Sequence, residues 1–130
     1  TVLCVDDHPL VRKGIAAILA TEADIQLVAE AGSGEEAVQA YRKHKPEVTL
    51  MDLRMPGMDG LEVAQRIRSD QRKEIAEVAI LGLTAYDEPS ETQRCLAAGM
   101  DGFESKPINP ARLCTNLARW LATFRARAGA

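Results

Sequence analysis

The sequence predicts an α/β fold in which one parallel β-sheet is covered by helices on both faces. Short apolar runs alternate five times with segments of helical periodicity, a pattern typical of repeated strand–helix units. Three of these runs contain almost no polar residue, as expected for strands buried on both sides. We expect one domain at residues 1–124 and a tail or linker at residues 125–130, excised from a longer protein because Thr1 already lies at a strand edge.

The first half of the chain supplies three strands and two helices. Residues 2–5 are an uninterrupted apolar run, and apolar residues then recur at helical spacing between residues 10 and 19. Residues 25–31 alternate apolar and polar side chains, which favours a strand at the edge of the sheet. Residues 34–44 predict a second helix, because basic residues collect near its end and a proline follows. Residues 48–51 are again wholly strand-like.

The second half continues the alternation. Asp59 is a candidate N-cap for a third helix, with Glu62 reaching back to it. Residues 78–83 predict a fourth strand that is buried on both faces. Residues 89–98 predict a fourth helix with few large apolar residues, and residues 101–105 predict a short fifth strand. The last helix carries a continuous apolar stripe made of Leu113, Leu117, Trp120, Leu121 and Phe124.

Composition excludes several classes of protein. The chain is 46% hydrophobic and 27% charged, which is ordinary for a soluble globular domain. Its net charge of −3 argues against direct nucleic acid binding by this domain. No apolar stretch has membrane-spanning length, so we expect no membrane insertion by this domain. Cys4, Cys95 and Cys114 show no C-x-x-C spacing, so we interpret them as reduced, packed thiols of a cytoplasmic protein.

Polar residues stand directly after four of the five predicted strands. Asp6 and Asp7 follow the first strand, Asp52 the third, Thr84 the fourth and Lys106 the fifth. All strands of a parallel sheet end at the same edge, and ligands of open α/β sheets bind there. We therefore expect these five side chains to converge in one crevice.

Three carboxylates in one crevice repel each other. Two unit charges about 5 Å apart cost roughly 3 kcal/mol at an effective dielectric constant of about 20. The single ammonium of Lys106 does not neutralise three acids, but a divalent cation does. The donors are hard oxygen atoms, which favours Mg²⁺. His8 is the only imidazole nearby, and we expect it to be a solvated loop residue and not a ligand.

A magnesium site alone does not account for Thr84 and Lys106. A hydroxyl and an ammonium beside a metal indicate a tetrahedral anion between them. Sites of phosphoryl transfer use these same groups to bind the phosphoryl oxygens. Asp52 follows a strand that is expected at the centre of the sheet. It is therefore the best candidate to take the phosphoryl group, since a carboxylate can serve as the nucleophile.

Four motifs together resemble the receiver domains of two-component response regulators, and the resemblance covers nearly the whole chain. They are VDDHP at residues 5–9, LMDLRMPGMDG at 50–60, LTA at 83–85 and AAGMDGFESKP at 97–107. The resemblance implies a flavodoxin-like (βα)5 fold with strand order 2-1-3-4-5. It also implies that a partner phosphohistidine donates the phosphoryl group, either on a histidine kinase or on a histidine phosphotransfer domain.

The resemblance further implies roles for individual residues. Asp7, Asp52 and the backbone carbonyl of Arg54 would hold Mg²⁺ directly, with Asp6 acting mostly through water. Arg54 and Tyr86 occupy positions that vary in the family and influence the lifetime of the phosphoryl group.

The same resemblance implies a switch beside the acceptor. Lys106 would pair with the acceptor carboxylate or the phosphate, and Thr84 would bond the phosphate after transfer. Phe103 matches an aromatic switch position that turns inward when the threonine moves. The peptide bond between Lys106 and Pro107 is expected to be cis. We expect the helix at residues 89–98 and the fifth strand to be the movable element, because that helix has few large apolar residues.

Two contexts compete within this family. Residues 82–85 and 94–101 are similar to receivers of hybrid sensor histidine kinases, which is the context we expect. The domain would then belong to the cytoplasmic part of a membrane-anchored kinase and pass its phosphoryl group to a histidine phosphotransfer domain. Residues 7–12 and 54–60 are similar to stand-alone regulators with a DNA-binding output domain, which is the alternative.

Two other function classes fit the sequence less well. Residues 32–37 (GSGEEA) match a dinucleotide-binding pattern, but two glutamates stand where the pyrophosphate would bind. An aspartate-nucleophile phosphohydrolase would also use Mg²⁺ and an acyl phosphate. That family, however, has an Asp-x-Asp pattern after the first strand, whereas the acids here are adjacent. We therefore expect a phosphoacceptor with only slow self-dephosphorylation and not an enzyme, although the parent chain is expected to be a histidine kinase.

Overall fold

The strands assemble in the order 2-1-3-4-5, and every neighbouring pair is parallel. This order confirms the predicted flavodoxin-like α/β fold. The computed structural model describes residues 1–85 and 89–128. Tyr86, named above for its influence on phosphoryl lifetime, lies outside the described residues.

The strands are β1 (Val2–Val5), β2 (Leu27–Ala31), β3 (Val48–Asp52), β4 (Ala79–Thr84) and β5 (Gly102–Ser105). The helices are α1 (Pro9–Leu19), α2 (Gly34–His44), α3 (Gly60–Arg68), α4 (Lys73–Ala76), α5 (Pro89–Ala97) and α6 (Pro110–Ala128). The sequence predicted five helices, and the structure adds α4, because four residues are too few to show a helical period. Helix α6 also continues past residue 124, where the sequence indicated a tail.

Successive residues of a strand face opposite sides of the sheet and build two apolar cores. On one side, Leu3, Val5 and Met51 belong to a core completed by residues of α2, α3, α4 and α5. On the other side, Cys4 and Leu50 belong to a core completed by α1 and α6. The central strands are therefore buried on both faces, as their apolar sequences predicted.

The position of a strand in the sheet decides how far it is buried. β3 lies between β1 and β4 and is buried along its whole length, including Asp52 at its end. β2 pairs only with β1, and of its five residues only Ala31 is fully buried. The alternating sequence of residues 25–31 had indicated this edge position. The acceptor candidate Asp52 thus stands at the end of the central strand of the sheet.

Side-chain caps fix where two helices begin. Ser33 Oγ accepts a hydrogen bond from the amide of Glu36 at 3.2 Å, at the start of α2. Asp59 Oδ1 accepts one from the amide of Glu62 at 3.0 Å, which confirms Asp59 as the N-cap of α3. Both caps satisfy amides that have no partner inside their helix.

No helix in the part of the chain that the structure describes is both long and apolar enough to span a bilayer. All three cysteines are free thiols. Cys4 and Cys95 are buried and Cys114 is half-buried, in agreement with their interpretation as packed thiols.

Arg68, the last residue of α3, forms hydrogen bonds to several segments at the edge of the sheet opposite Asp52. Its guanidinium donates to the backbone carbonyls of Gly99 (2.8 Å), Ala76 (2.9 Å) and Val78 (2.6 Å). It also donates to Asp101 Oδ2 at 2.7 Å, an oxygen that in turn accepts from a β4 amide. One planar side chain therefore joins α3, α4 and the segments that lead into β4 and β5.

We predict that Arg68→Lys and Arg68→Ala each lower the free energy of unfolding by about 2–3 kcal/mol, because carbonyl groups and a carboxylate lose their donors. Lysine should restore little, since its ammonium does not reproduce the forked geometry of the guanidinium. Urea denaturation measures the effect, and Arg66→Lys on the exposed face of the same helix is the matched control. Equal stability of the Arg68 and Arg66 variants would contradict this role.

Candidate functional site

The polar residues predicted to converge do meet at the carboxyl edge of the sheet. Asp52 and Thr84 are the last residues of β3 and β4. Asp6 and Asp7 follow β1, and Lys106 follows β5. Asp6 is fully buried, and Asp52 and Thr84 are only 4% and 5% exposed. This gathering follows from the parallel topology, which ends all five strands on the same side.

Four side chains form a compact cluster at this edge. Asp6, Asp7, His8 and Asp52 each offer one atom able to bind a metal, and these atoms lie within 4.8 Å of one another. His8 was expected to be a solvated loop residue, and its side chain is indeed 66% exposed. Its Nδ1 nevertheless lies 3.1 Å from Asp7 Oδ1 and 3.3 Å from Asp6 Oδ1. The imidazole therefore belongs to the cluster, and the backbone amide of His8 donates to Asp6 Oδ1 at 2.9 Å just before α1 begins.

Lys106 is placed between two of the acids. Its Nζ lies 2.9 Å from Asp6 Oδ2 and 3.5 Å from Asp52 Oδ1. The lysine thus pairs more closely with Asp6 than with the acceptor candidate. This is consistent with the complete burial of Asp6, which has the greater need of a counter-charge. The peptide bond that follows, between Lys106 and Pro107, is cis.

The pKa of Asp52 reflects the electrostatic balance of the cluster. Burial, and secondarily the nearby Asp6 carboxylate, raises the pKa of Asp52 to about 6. The Lys106 ammonium and the backbone amide of Arg54, which donates to Asp52 Oδ1 at 3.2 Å, oppose that rise without cancelling it. Burial alone would lower the pKa of Lys106, but its contacts with Asp6 and Asp52 outweigh burial and raise it above its usual value. The lysine is therefore held charged beside an excess of acid.

The loop after β3 is fixed by close backbone contacts. A Cβ at Gly60 would overlap the backbone oxygen of Asp52, and a Cβ at Gly34 would overlap Met58. Gly57 adopts a φ of 75°, which other residues rarely do. These glycines let α2 and α3 approach the loop that carries Arg54, so the backbone there has little freedom.

A cavity of about 180 Å³ opens in front of Asp52. Its lining combines acid, base and hydroxyl groups, contributed by His8, Asp52, Leu53, Arg54, Leu83, Thr84, Ala85, Glu91 and Lys106. Phe103 is half-buried on β5, where it pairs with Gly82, and it is not part of this lining. A larger groove of about 770 Å³ lies at the opposite edge beside Arg68 and Phe124, so size does not identify the site.

Two features of the site carry no sequence signal. Arg12 on α1 donates from Nη1 to the backbone oxygen of Asp6 at 2.6 Å and so holds the loop that bears the acid pair. Glu91 on α5 is buried, and its Oε2 lies 3.7 Å from both Arg54 Nη2 and Arg94 Nη1. Charged residues on a helix usually face solvent, so a single sequence does not reveal either contact.

The donor atoms fit a divalent cation. Oδ2 of Asp52 is buried and accepts no hydrogen bond from the described residues. Two further carboxylates stand within reach of the same point. Oxygen atoms of this kind are the ligands that Mg²⁺ prefers. Asp6, Asp7 and Asp52 are therefore suited to hold Mg²⁺, and the backbone carbonyl of Arg54, two residues along the chain, is a candidate fourth ligand.

Known proteins resemble this chain along most of its length. A family model described as the response regulator receiver domain matches residues 2–118. The response regulator protein VraR of Staphylococcus aureus is 42% identical over 102 residues, which are 78% of this chain and 47% of VraR. The chain thus spans about half the length of the curated relatives it matches.

Solved structures agree with these matches. The signal receiver domain of NarL from Mycobacterium tuberculosis has a TM-score of 0.85 at 34% identity, over 93% of this chain and 94% of that one. A chain of the CheX–CheY–BeF3–Mg²⁺ complex from Borrelia burgdorferi has a TM-score of 0.80 at 27% identity, over 89% and 84%.

We predict that Asp52→Asn stabilises the metal-free protein at pH 7 by about 1–3 kcal/mol. The folded state raises the pKa of Asp52 from 3.8 to about 6, so it binds a proton more tightly than the unfolded state does. Native protein should therefore lose stability as pH rises from about 4 to about 6, and the variant should not.

Chemical denaturation in EDTA across this pH range measures the difference between the two proteins. Asp24→Asn, at an exposed position, is the control. A gain in stability that is the same at pH 4 and pH 7 would show that ionisation of Asp52 is not its cause.

Proposed function

Because this chain belongs to the family of response regulator receiver domains, we propose that Asp52 accepts a phosphoryl group from a phosphohistidine on a partner protein. The observation that carries this proposal is Oδ2 of Asp52, a buried oxygen at the end of the central strand that accepts no hydrogen bond from the residues the structure describes. The donor is a histidine kinase or a histidine phosphotransfer domain. Receiver domains are signalling domains, and we expect this one to release its phosphoryl group unaided only slowly.

The proposed transfer is a displacement at phosphorus. An oxygen of Asp52 attacks the phosphorus atom of the donor. The new O–P bond forms as the P–N bond to the donor imidazole breaks, and the electron pair of that bond returns to the nitrogen. The product is a mixed anhydride of carboxylate and phosphate. A pKa of about 6 leaves most Asp52 side chains ionised, and thus nucleophilic, at neutral pH.

Lys106 and Thr84 are proposed to hold the transferred group. Lys106 Nζ, 3.5 Å from Asp52 Oδ1, supplies a positive charge next to the point where phosphoryl oxygens would arrive. Thr84 lines the same cavity and supplies a hydroxyl that donates to the phosphoryl group after transfer. Both side chains act by position and charge, because phosphoryl transfer requires little other covalent chemistry from a protein.

Mg²⁺ is the proposed cofactor, with Asp6, Asp7, Asp52 and the backbone carbonyl of Arg54 as the residues that hold it. When bound, Mg²⁺ supplies the positive charge that the acid cluster lacks and that phosphoryl oxygens require. The occurrence of Mg²⁺ in the CheX–CheY–BeF3–Mg²⁺ complex supports this assignment.

The proposed output is a rearrangement of α5 and β5. Thr84 would move toward the phosphoryl group, and Phe103 on β5 would turn into the space that it leaves. Helix α5 buries few large side chains, since Cys95 is the one buried apolar residue among its described side chains. An element with so little buried apolar surface is the easiest to displace.

We predict that acetyl phosphate and Mg²⁺ add one phosphoryl group to the native protein and none to Asp52→Asn. Amidation removes the nucleophilic oxygen while keeping the shape of the side chain. Intact-mass spectrometry measures the labelling, and Asp24→Asn is the matched control that should label like native protein. EDTA should abolish labelling of the native protein and of Asp24→Asn. Full labelling of Asp52→Asn would refute the assignment of the acceptor.

The context of the domain in its parent protein is also a proposal. The stretches at residues 82–85 and 94–101 support a cytoplasmic hybrid-kinase receiver, with residues 1–124 as the receiver and 125–130 as a linker. The likeness to VraR, a response regulator about twice as long as the matched segment, supports a stand-alone regulator with an output domain. Free thiols in all three cysteines support a reducing, cytoplasmic location for either protein.

The parent reading frame distinguishes the two contexts. We predict that a hybrid kinase encodes a phosphorylatable histidine and an ATP-binding segment ahead of residue 1. A stand-alone regulator encodes a DNA-binding segment after residue 130 instead. Sequencing the gene measures this directly, and the absence of kinase segments would contradict the hybrid context.

A further inference from the structure

We propose that the acid cluster also binds a divalent transition metal, for which Zn²⁺ is the test ion, with the imidazole of His8 as an additional ligand. The proposal rests on the cation site of the proposed function and goes beyond it by assigning a nitrogen ligand. That ligand changes which metals the site prefers.

The distances around His8 match those between two ligands of one metal ion. Zn²⁺ binds nitrogen and carboxylate oxygen at about 2.0–2.2 Å, so two adjacent ligands lie about 2.8–3.6 Å apart. His8 Nδ1 lies 3.1 Å from Asp7 Oδ1 and 3.3 Å from Asp6 Oδ1. Opposite ligands of an octahedral ion are about 4.2 Å apart, within the 4.8 Å that contains all four side chains.

Asp52 provides a second, independent sign of a cation at this point. The residue is 4% exposed, and its Oδ2 accepts no hydrogen bond from the described part of the chain. A buried carboxylate oxygen without a donor is unfavourable unless a cation completes it. Asp52 belongs to the same cluster as His8, so one ion would satisfy both.

The imidazole is ready to bind with little rearrangement. The backbone amide of His8 already donates to Asp6 Oδ1 at 2.9 Å, which fixes the loop, and Pro9 begins α1 immediately afterwards. The ring itself is 66% exposed, and its Nδ1 already lies within 3.3 Å of a carboxylate oxygen of both Asp6 and Asp7. Little burial is needed, and the free-energy cost of ordering the ring is small.

A nitrogen ligand selects among metals. Imidazole suits zinc, copper and nickel, whereas Mg²⁺ prefers oxygen and gives up water reluctantly. Loss of His8 should therefore weaken binding of Zn²⁺ and leave binding of Mg²⁺ unchanged. A simple hydrogen bond from His8 to Asp7 explains the same distances, but it predicts that the two metals respond alike.

The test compares native protein, His8→Gln and His8→Ala, all without an affinity tag, at pH 7.5. Zn²⁺ affinity is measured by competition with a chromophoric chelator and Mg²⁺ affinity by NMR titration. We expect both variants to lose Zn²⁺ affinity by at least about 10-fold, a loss typical even of residues that only support a metal ligand. In native protein the ring nitrogen signals of His8 should shift with Zn²⁺ and not with Mg²⁺.

The chain provides matched controls, because His44 is its only other histidine. His44→Gln, exposed at the end of α2, should bind Zn²⁺ like native protein, and so should Cys114→Ser. Equal Zn²⁺ affinity in native protein and both His8 variants would overturn the proposal. A loss of Zn²⁺ affinity in either control variant would also overturn it, by placing the metal elsewhere.

Failure of the proposed function gives a different result. In that case native protein binds no Mg²⁺ and acetyl phosphate does not label Asp52. Failure of the present inference instead leaves Mg²⁺ binding and labelling intact while the His8 variants keep native affinity for Zn²⁺.

Discussion

Repulsion among buried carboxylates is the constraint on which the rest of this structure depends. Asp6 and Asp52 lie almost without contact with water, Asp7 stands beside them, and one ammonium serves the group. Backbone amides supply part of the missing positive charge, since those of His8 and Arg54 donate to the two buried acids. Burial and, after it, the nearby Asp6 carboxylate keep the pKa of Asp52 high, so the cluster is suited to a cation.

Contacts at two opposite edges of the sheet hold these charged residues together. At the far edge, the Arg68 guanidinium fastens α3 and α4 to the start of two strands. At the near edge, α3 and the loop before it lie against the end of β3. Strand β3 itself is buried along its whole length, so the backbone that carries Asp52 is fixed by packing on both faces of the sheet. Helix α5 buries much less, since Glu91 and Cys95 are its only buried residues among those whose side chains the structure describes.

The fold and the membership of the site could be predicted from the sequence, because both depend on periodicity and topology. Apolar runs located the strands, and parallel pairing then brought Asp6, Asp52 and Lys106 to one edge. Finer contacts could not be predicted. Helix α4 is shorter than any detectable period, and the preference of Lys106 for Asp6 depends on differences of less than 1 Å. The contacts of the exposed His8 ring with Asp6 and Asp7 could not be predicted either, because sequence carries no information on the rotation of the ring.

Gly60 leaves no room for a side chain between the start of α3 and the end of β3. Any side chain at this position would collide with the Asp52 backbone, so even alanine would tilt α3 away from the strand that it supports. A substitution here would therefore displace the backbone that carries Asp52. In a newly sequenced protein of this fold, the residue aligned with Gly60 therefore indicates whether the third helix can start directly against the end of the third strand.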